Sequence, residues 1–270
     1  LPAHKNFKIN YQRFKKREGD FIVKKLLASA FFVFSIGVAS AATAVASAET
    51  IEIATKAELG RLAEMLKSND LVWTRVARVH VLLRDMADFK AFNAVYEQYL
   101  KEVGLTQFPA RVTVASAAND AALISAEIDV VGNDLVLAPV VVQGAPAPVG
   151  PFSPACVAEQ NGQRIFFASG QLPRQADGSM ATDPLEATML ALQANDVLLK
   201  AANFNWSQVA EVTLYYPTST VEVKQAIFDQ VLLPYLKTAR GSDELPIIAE
   251  IVVKSLPFGV PMEIEITAFS

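Results

Sequence analysis

Few side chains in this 270-residue sequence could act as nucleophile, base or metal ligand in a familiar pattern. Cys156 is the only cysteine, so an intrachain disulfide is impossible and no cysteine cluster can hold a metal. Between a catalytic thiol and a small structural residue, the structural reading of Cys156 is favoured. His80 is the only histidine beyond the first 48 residues. It falls in a predicted strand with no His/Asp/Glu partner motif and reads as structural. There is no Ser-His-Asp order, no Walker loop, no G-x-G-x-x-G behind a strand and no H-E-x-x-H. What remains is the chemistry of arginine, carboxylates and neutral hydrogen-bond donors.

The first 48 residues differ from the rest. Lys24 and Lys25 precede an apolar run from Leu26 to Val38, and small residues follow, ending in Ala46-Ser47-Ala48. A positive start, a short apolar segment and an A-x-A end are the parts of a secretory signal peptide. The run is shorter than the ~20 apolar residues that span a bilayer. The expectation is a leader over 1–48, cleaved near Ala48, and a periplasmic or secreted protein. An uncleaved anchor is the alternative. Leu1 to Phe21 is long and basic for a leader, which points to translation starting at Val23. The leader holds eight Lys/Arg and two acids, leaving 16 basic and 26 acidic residues, net −10. Such a balance disfavours phosphate backbones, and no nucleic-acid partner is expected. Membrane contact is expected only through the leader.

Beyond it, alternating patterns mark out elements. A helix is predicted over 55–69, with Thr55 and Glu58 as a capping box. A strand over 72–83, a helix over 87–100, and strands over 110–115 and 123–131 follow. A Gly/Pro/Ala stretch, 144–151, reads as a turn or linker. Next come a strand over 164–169, a turn at Asp177-Gly178, and a helix opened by Asp183 as N-cap and Pro184. A strand over 209–216, a helix over 221–236, and strands over 247–253 and 262–268 complete the chain. The order helix–strand–helix–strand–strand thus occurs twice. Val76-Ala77-Arg78-Val79 answers Val209-Ala210-Glu211-Val212, and Glu127-Ile128-Asp129 answers Glu263-Ile264-Glu265, at offsets of 133 and 136. A period this long means a duplicated domain. The expected division is leader 1–48, a partial lobe 49–136, a linker 137–150 and a complete lobe 151–270. The first lobe lacks the opening strands that Phe152 to Ser169 give the second.

The motifs carry a resemblance. Ala145-Pro146-Ala147-Pro148-Val149-Gly150-Pro151-Phe152-Ser153-Pro154-Ala155 resembles the opening of the Rid (reactive-intermediate deaminase, YjgF) family. Ile165 to Pro173 resembles its strand and S-G-Q-[IL]-P turn. Leu256-Pro257 followed by Met262-Glu263-Ile264-Glu265 resembles its closing segment. In the first copy, Arg84 to Phe89 with Tyr96, and Phe108-Pro109-Ala110-Arg111, resemble its D-F helix and P-A-R strand. The resemblance implies an α+β fold of two chorismate-mutase-like lobes, each a mixed sheet backed by two helices. It also implies trimer-like lobe packing in a homo-oligomer, with clefts between lobes. Because three lobes cannot be made from whole chains of two, six lobes or an asymmetric arrangement is expected. The implied activity is hydrolysis of amino-acid-derived enamines and imines to 2-oxo acids and ammonia, with no metal or organic cofactor.

Such a reaction needs a cation for the substrate carboxylate, a carboxylate to handle water, and neutral donors. Matched to the family, the first copy offers Arg111 for the carboxylate, Glu127 for water and Asn93 as donor. The Glu127 match needs one extra residue in the loop from Ala117 to Ala122, since strand side chains alternate. The second copy offers Phe152 where the family has Tyr, the pair Ser169-Gly170, and Glu263 at the glutamate position. Its arginine position falls on Ile248, and its asparagine position near Lys224 or Gln225. The copies are complementary, and one composite cleft between a first-copy and a second-copy lobe is expected. The alternatives are a non-catalytic binder of small carboxylates and, as the older family label has it, an endoribonuclease or translation inhibitor.

Overall fold

The structure is a computed structural model that describes residues 34–35, 50–116, 122–143, 148 and 150–270. Two α+β lobes follow one another. The first contains β1 (Phe34–Ser35), α1 (Ile51–Ser68), β2 (Val76–Leu83), α2 (Phe89–Glu102), β3 (Ala110–Ala115) and β4 (Ile124–Val130), with sheet order β1-β4-β2-β3. The second contains β5 (Val136–Pro139), β6 (Ala155–Gln160), β7 (Gln163–Ala168), α3 (Pro184–Ala201) and β8 (Val209–Pro217). It continues through α4 to β9 (Ile247–Val253) and β10 (Glu263–Phe269), with sheet order β5-β6-β7-β10-β8-β9. The helix α4 runs as Lys224–Ala226, a π-helical segment Ile227–Leu232, and Leu233–Arg240. The wider segment lies just before Pro234, whose ring and missing N–H disturb a regular helical ladder. Each sheet is mixed: β2 pairs parallel with β3 and antiparallel with β4, just as β8 pairs with β9 and β10.

Each lobe buries the apolar stripe of its two helices on one face of its sheet. In α2 the buried residues Phe92, Val95, Tyr96 and Leu100 recur at helical spacing. Phe92, Tyr96 and Leu100 join Leu59 and Leu62 of α1 and Val79, Val81, Ala126 and Ile128 of the strands in one core. Leu192, Leu199, Val212, Leu214, Leu232 and Ile266 form the corresponding core of the second lobe. The opposite faces of the two sheets meet each other. Ala77, Val131 and Leu135 pack against Ile165 and Phe167 on one side of that junction. On the other, Val112 and Val114 pack against Tyr215, Val253 and Leu256. The edge strand β3 is therefore buried along its whole length, whereas its counterpart β9 is only partly covered.

Several local expectations change. Helix α1 starts at Ile51, and Thr50 caps it, its hydroxyl accepting from the Ile53 N–H. Thr55 lies buried inside the helix. Glu58 turns to the sheet, accepting from the Ala126 N–H at 2.6 Å and pairing with Arg61 at 2.7 Å. The predicted strand over 72–83 opens with a 3₁₀ turn, Trp73–Arg75. Part of the expected linker 137–150 lies in β5, which pairs antiparallel with β6 from Val136↔Glu159 to Pro139↔Cys156. Of the expected leader, only Phe34–Ser35 falls among the described residues; it pairs antiparallel with β4. Asp183 does cap α3, accepting from the N–H groups of Leu185 and Glu186.

Candidate functional site

A cleft of about 280 Å³ opens where β3 of the first lobe meets the turns of the second. Arg111 stands on its floor, 3% exposed. Two hydrogen bonds fix its backbone to the other lobe: its N–H donates to Ser169 Oγ at 2.8 Å, and its carbonyl accepts from the Gly170 N–H at 3.1 Å. Ser169 Oγ donates in turn to the Ser153 carbonyl. Ser153 reaches back, its N–H to the Pro109 carbonyl and its hydroxyl to the Phe108 carbonyl. The lobes are stitched together around the arginine.

The guanidinium is caged by rings. The centroids of Phe152, Phe92, Tyr96 and Phe89 lie 4.8, 5.1, 5.1 and 5.8 Å from its carbon. Cation–π attraction partly replaces lost hydration. Yet Nη1 is buried without a hydrogen-bond partner, and no ion pair reaches Arg111 among the described residues. Burial lowers its pKa to about 10, opposed by Tyr96 and Glu263, so the group keeps its proton at neutral pH. An unpaired buried donor of fixed positive charge is a receptor for an anion. Gly150, at φ 139°, makes room for it: a Cβ there would come within 3.0 Å of Nη2.

Glu263, at the start of β10, faces the same cleft and is 3% exposed. Its Oε2 has no partner. Burial, reinforced by Glu265 two residues along and opposed by Arg111, raises its pKa to about 8. A carboxyl poised near neutrality can both give and take a proton. Gly170 is the residue that admits it, since a methyl there would lie 2.6 Å from the carboxyl carbon.

Phe152, Gly170, Glu263 and Arg111 thus come together within one chain. The other expected site residues do not line this cleft. Ser169 is fully buried behind it, where its hydroxyl positions Arg111. Asn93 is half-buried on α2, its Oδ1 unpartnered. Glu127 is exposed on β4 near Arg61. Strand register explains that last departure. Both lobes carry a register shift at the same place, between Val76 and Arg78 opposite β4 and between Thr267 and Ala268 of β10. Counting from it, Glu127 opposite His80 corresponds to Glu265 opposite Thr213, and Glu263 corresponds to Ser125. Glu127 is therefore two residues, roughly 6.7 Å of strand, from the glutamate position. The same count makes Ile248, opposite Val212, the counterpart of Arg111, opposite Val79.

Four functional candidates were not expected from sequence. Thr113, two residues after Arg111, lines the cleft with an unpartnered Oγ1; strand alternation from Arg111 pointed to it. Gln171, Arg174 and Phe258 also line it, with no signal in the sequence beyond adjacency to the turns. Cys156 is 3% exposed, and burial pushes its thiol up to about 12, which keeps it protonated at neutral pH. No group of His, Cys, Asp or Glu suited to a metal occurs among the described residues.

Comparison with known proteins agrees with this architecture. The endoribonuclease L-PSP family matches the chain twice, over residues 26–132 and 142–270. The chain belongs to this family, the Rid proteins, as a tandem of two lobes. The first match begins inside the stretch read as a leader. Among solved structures, the Rid protein YyfA of Yersinia pestis is 26% identical, aligning half of this chain with all of its own at a TM-score of 0.42. The Escherichia coli YjgF product is 20% identical over 48% of this chain and 97% of its own, at 0.40. A chorismatase, 16% identical, covers 80% of this chain and 70% of its own at 0.59 and thus shares the two-lobe fold. No curated protein matches significantly.

Proposed function

We propose that this Rid protein hydrolyses reactive imines and enamines derived from amino acids, releasing 2-oxo acids and ammonia. The observation that carries this reading is the unpaired, buried Arg111 guanidinium sharing a largely apolar cleft with a carboxyl raised to about 8. The substrate carboxylate takes the vacant donor positions of Arg111. Its positive iminium nitrogen counteracts burial and favours the ionised form of Glu263. Glu263 takes a proton from water as the water oxygen bonds to the imine carbon and the C=N π pair moves to nitrogen. The same proton then goes to nitrogen, Glu263 takes the hydroxyl proton as the C–N bond breaks and the C=O forms, and the 2-oxo acid leaves while that proton departs with the ammonia as ammonium. Thr113 Oγ1 is placed to hydrogen-bond the head group.

The test is ammonia release from freshly generated 2-iminopropanoate and longer imino acids. Acceleration that disappears in both Arg111→Met and Glu263→Gln supports the reading. Arg111-dependent binding of 2-oxo acids without acceleration would make the protein a carboxylate binder, a reading favoured by Phe152, which brings no hydroxyl to the cleft. Endoribonuclease activity finds less support, because the cleft wall is mainly apolar and the chain after residue 48 is acidic. Export from the cytoplasm, and assembly of several chains with trimer-like packing of lobes, remain part of the proposal.

A further inference from the structure

Arg111, Thr113 and Glu263 account for only part of the cleft lining. At about 280 Å³, the volume approaches that of pockets burying drug-sized ligands (~300–1,000 Å³) and is more than a three-carbon acid fills. The remaining wall is apolar and drawn from both lobes: Phe89 of α2, Leu172 and Met180 from the turns after β7, Val197 and Leu198 of α3, and Phe258.

Phe258 stands apart from the others. It holds φ 60° and ψ 11°, the left-handed region, which bulky L-residues rarely occupy. Strained backbone of this kind persists where the surroundings over-determine it, and it clusters at ligand sites. The surroundings are visible here. Leu256 and Val260, on either side of the turn, are buried at 1% and 2%. Lys254 N–H donates to the Ala115 carbonyl, and Ala115 N–H donates to the Ser255 carbonyl, tying the turn to the end of β3, the strand of Arg111. Held at its feet, the turn projects the Phe258 ring over the cleft mouth, 56% exposed and edge-on to Phe89 at 6.3 Å.

We propose that the cleft selects a 2-imino or 2-oxo acid with an aromatic or branched aliphatic side chain, and that Phe258 is the specificity-determining residue, its ring packing on that side chain opposite Phe89. This rests on the reading of Arg111 as the carboxylate receptor. Each methylene moved from water onto the wall tightens binding about fourfold, and a ring adds several such increments.

The test measures dissociation constants by calorimetry on the full chain for pyruvate, 4-methyl-2-oxopentanoate and 3-phenyl-2-oxopropanoate. The branched and aromatic acids are expected to bind at least 30-fold more tightly than pyruvate. Phe258→Gly, which relieves the backbone, is expected to reduce that ratio to below fivefold. Phe258→Asn, which also tolerates left-handed backbone, serves if the glycine variant does not fold. Equal, Arg111-dependent affinities for all three acids would overturn the side-chain proposal and leave the carboxylate reading intact. A ratio unchanged in both Phe258 variants would overturn the role of Phe258. Binding of none of them would remove the carboxylate reading and this proposal together.

Discussion

Arg78 and Arg111 are both buried, and both lie at the junction of the two lobes, but they live in opposite environments. Arg78 is saturated. Its Nε donates to Asp129 at 2.8 Å, and its remaining nitrogens reach the carbonyls of Ala168 and Ile266, Thr267 Oγ1 and the Glu265 carboxylate, at 3.2–3.6 Å. The Glu265 and Asp129 carboxylates raise its pKa against the effect of burial, and Arg78 with His80 holds Asp129 well below the usual carboxylate range. Arg111 meets four rings and has no anion, and its pKa falls. One guanidinium completes a network that spans the lobes; the other is surrounded by rings. Burial alone therefore does not distinguish the two arginines, whereas the presence or absence of a partner does.

Swapping readouts between the two sites should separate them. Arg78→Met leaves the buried Asp129 and Glu265 with His80 as their one cationic neighbour among the described residues. It is expected to lower stability by about 3–5 kcal/mol in urea denaturation. Arg111→Met removes an unpaired charge, so the urea midpoint should hold or rise. Binding of a 2-oxo acid should weaken at least about 100-fold, in line with the ~2–5 kcal/mol lost when a buried charge pair loses one partner. If Arg111→Met unfolds the protein as Arg78→Met does, the contrast between the sites fails. Gly170→Ala drives a methyl into the Glu263 carboxyl. Its expected cost is about 1–3 kcal/mol of stability, with activity falling about tenfold while Arg111-dependent binding survives. Glu263→Gln, besides ending turnover, should flatten the pH dependence of stability. In the fold Glu263 holds its proton up to about pH 8, against 4.5 as the ordinary value. The folded state binds more protons in that window, so stability falls as pH rises through it, by up to about 1.4 kcal/mol per pH unit. The glutamine variant should lose that slope in melts taken from pH 5 to 8, while the high-pH plateau stays level.

The sequence carried the fold and named four residues, Arg111, Phe152, Gly170 and Glu263, that line one cleft. Duplication was legible because Val76 to Val79 and Val209 to Val212 keep both composition and period, and β2 and β8 do occupy equivalent places. Arg111 and its absent counterpart at Ile248 were legible from local strings, and the register agrees. Glu127 misled for a physical reason. A two-residue slip along a strand preserves the alternation of faces, so Glu-Ile-Asp matched to Glu-Ile-Glu looks correct one repeat out of place. Only the bulge shared by both sheets fixes the count. The Arg78 network was illegible because its partners lie 51 to 189 residues away. β5 was hidden by its brevity and by the Gly/Pro/Ala composition that follows it.

The two hydrogen bonds that suspend the Arg111 backbone from Ser169 and Gly170 bear on how such a fused gene can change. After an ordinary duplication either copy is free to decay once the other suffices. Here the backbone of an arginine in one copy hangs from residues encoded 58 and 59 codons downstream in the other. A substitution at either place therefore meets its neighbour across the fusion, and the two copies share a local constraint that separate genes would not.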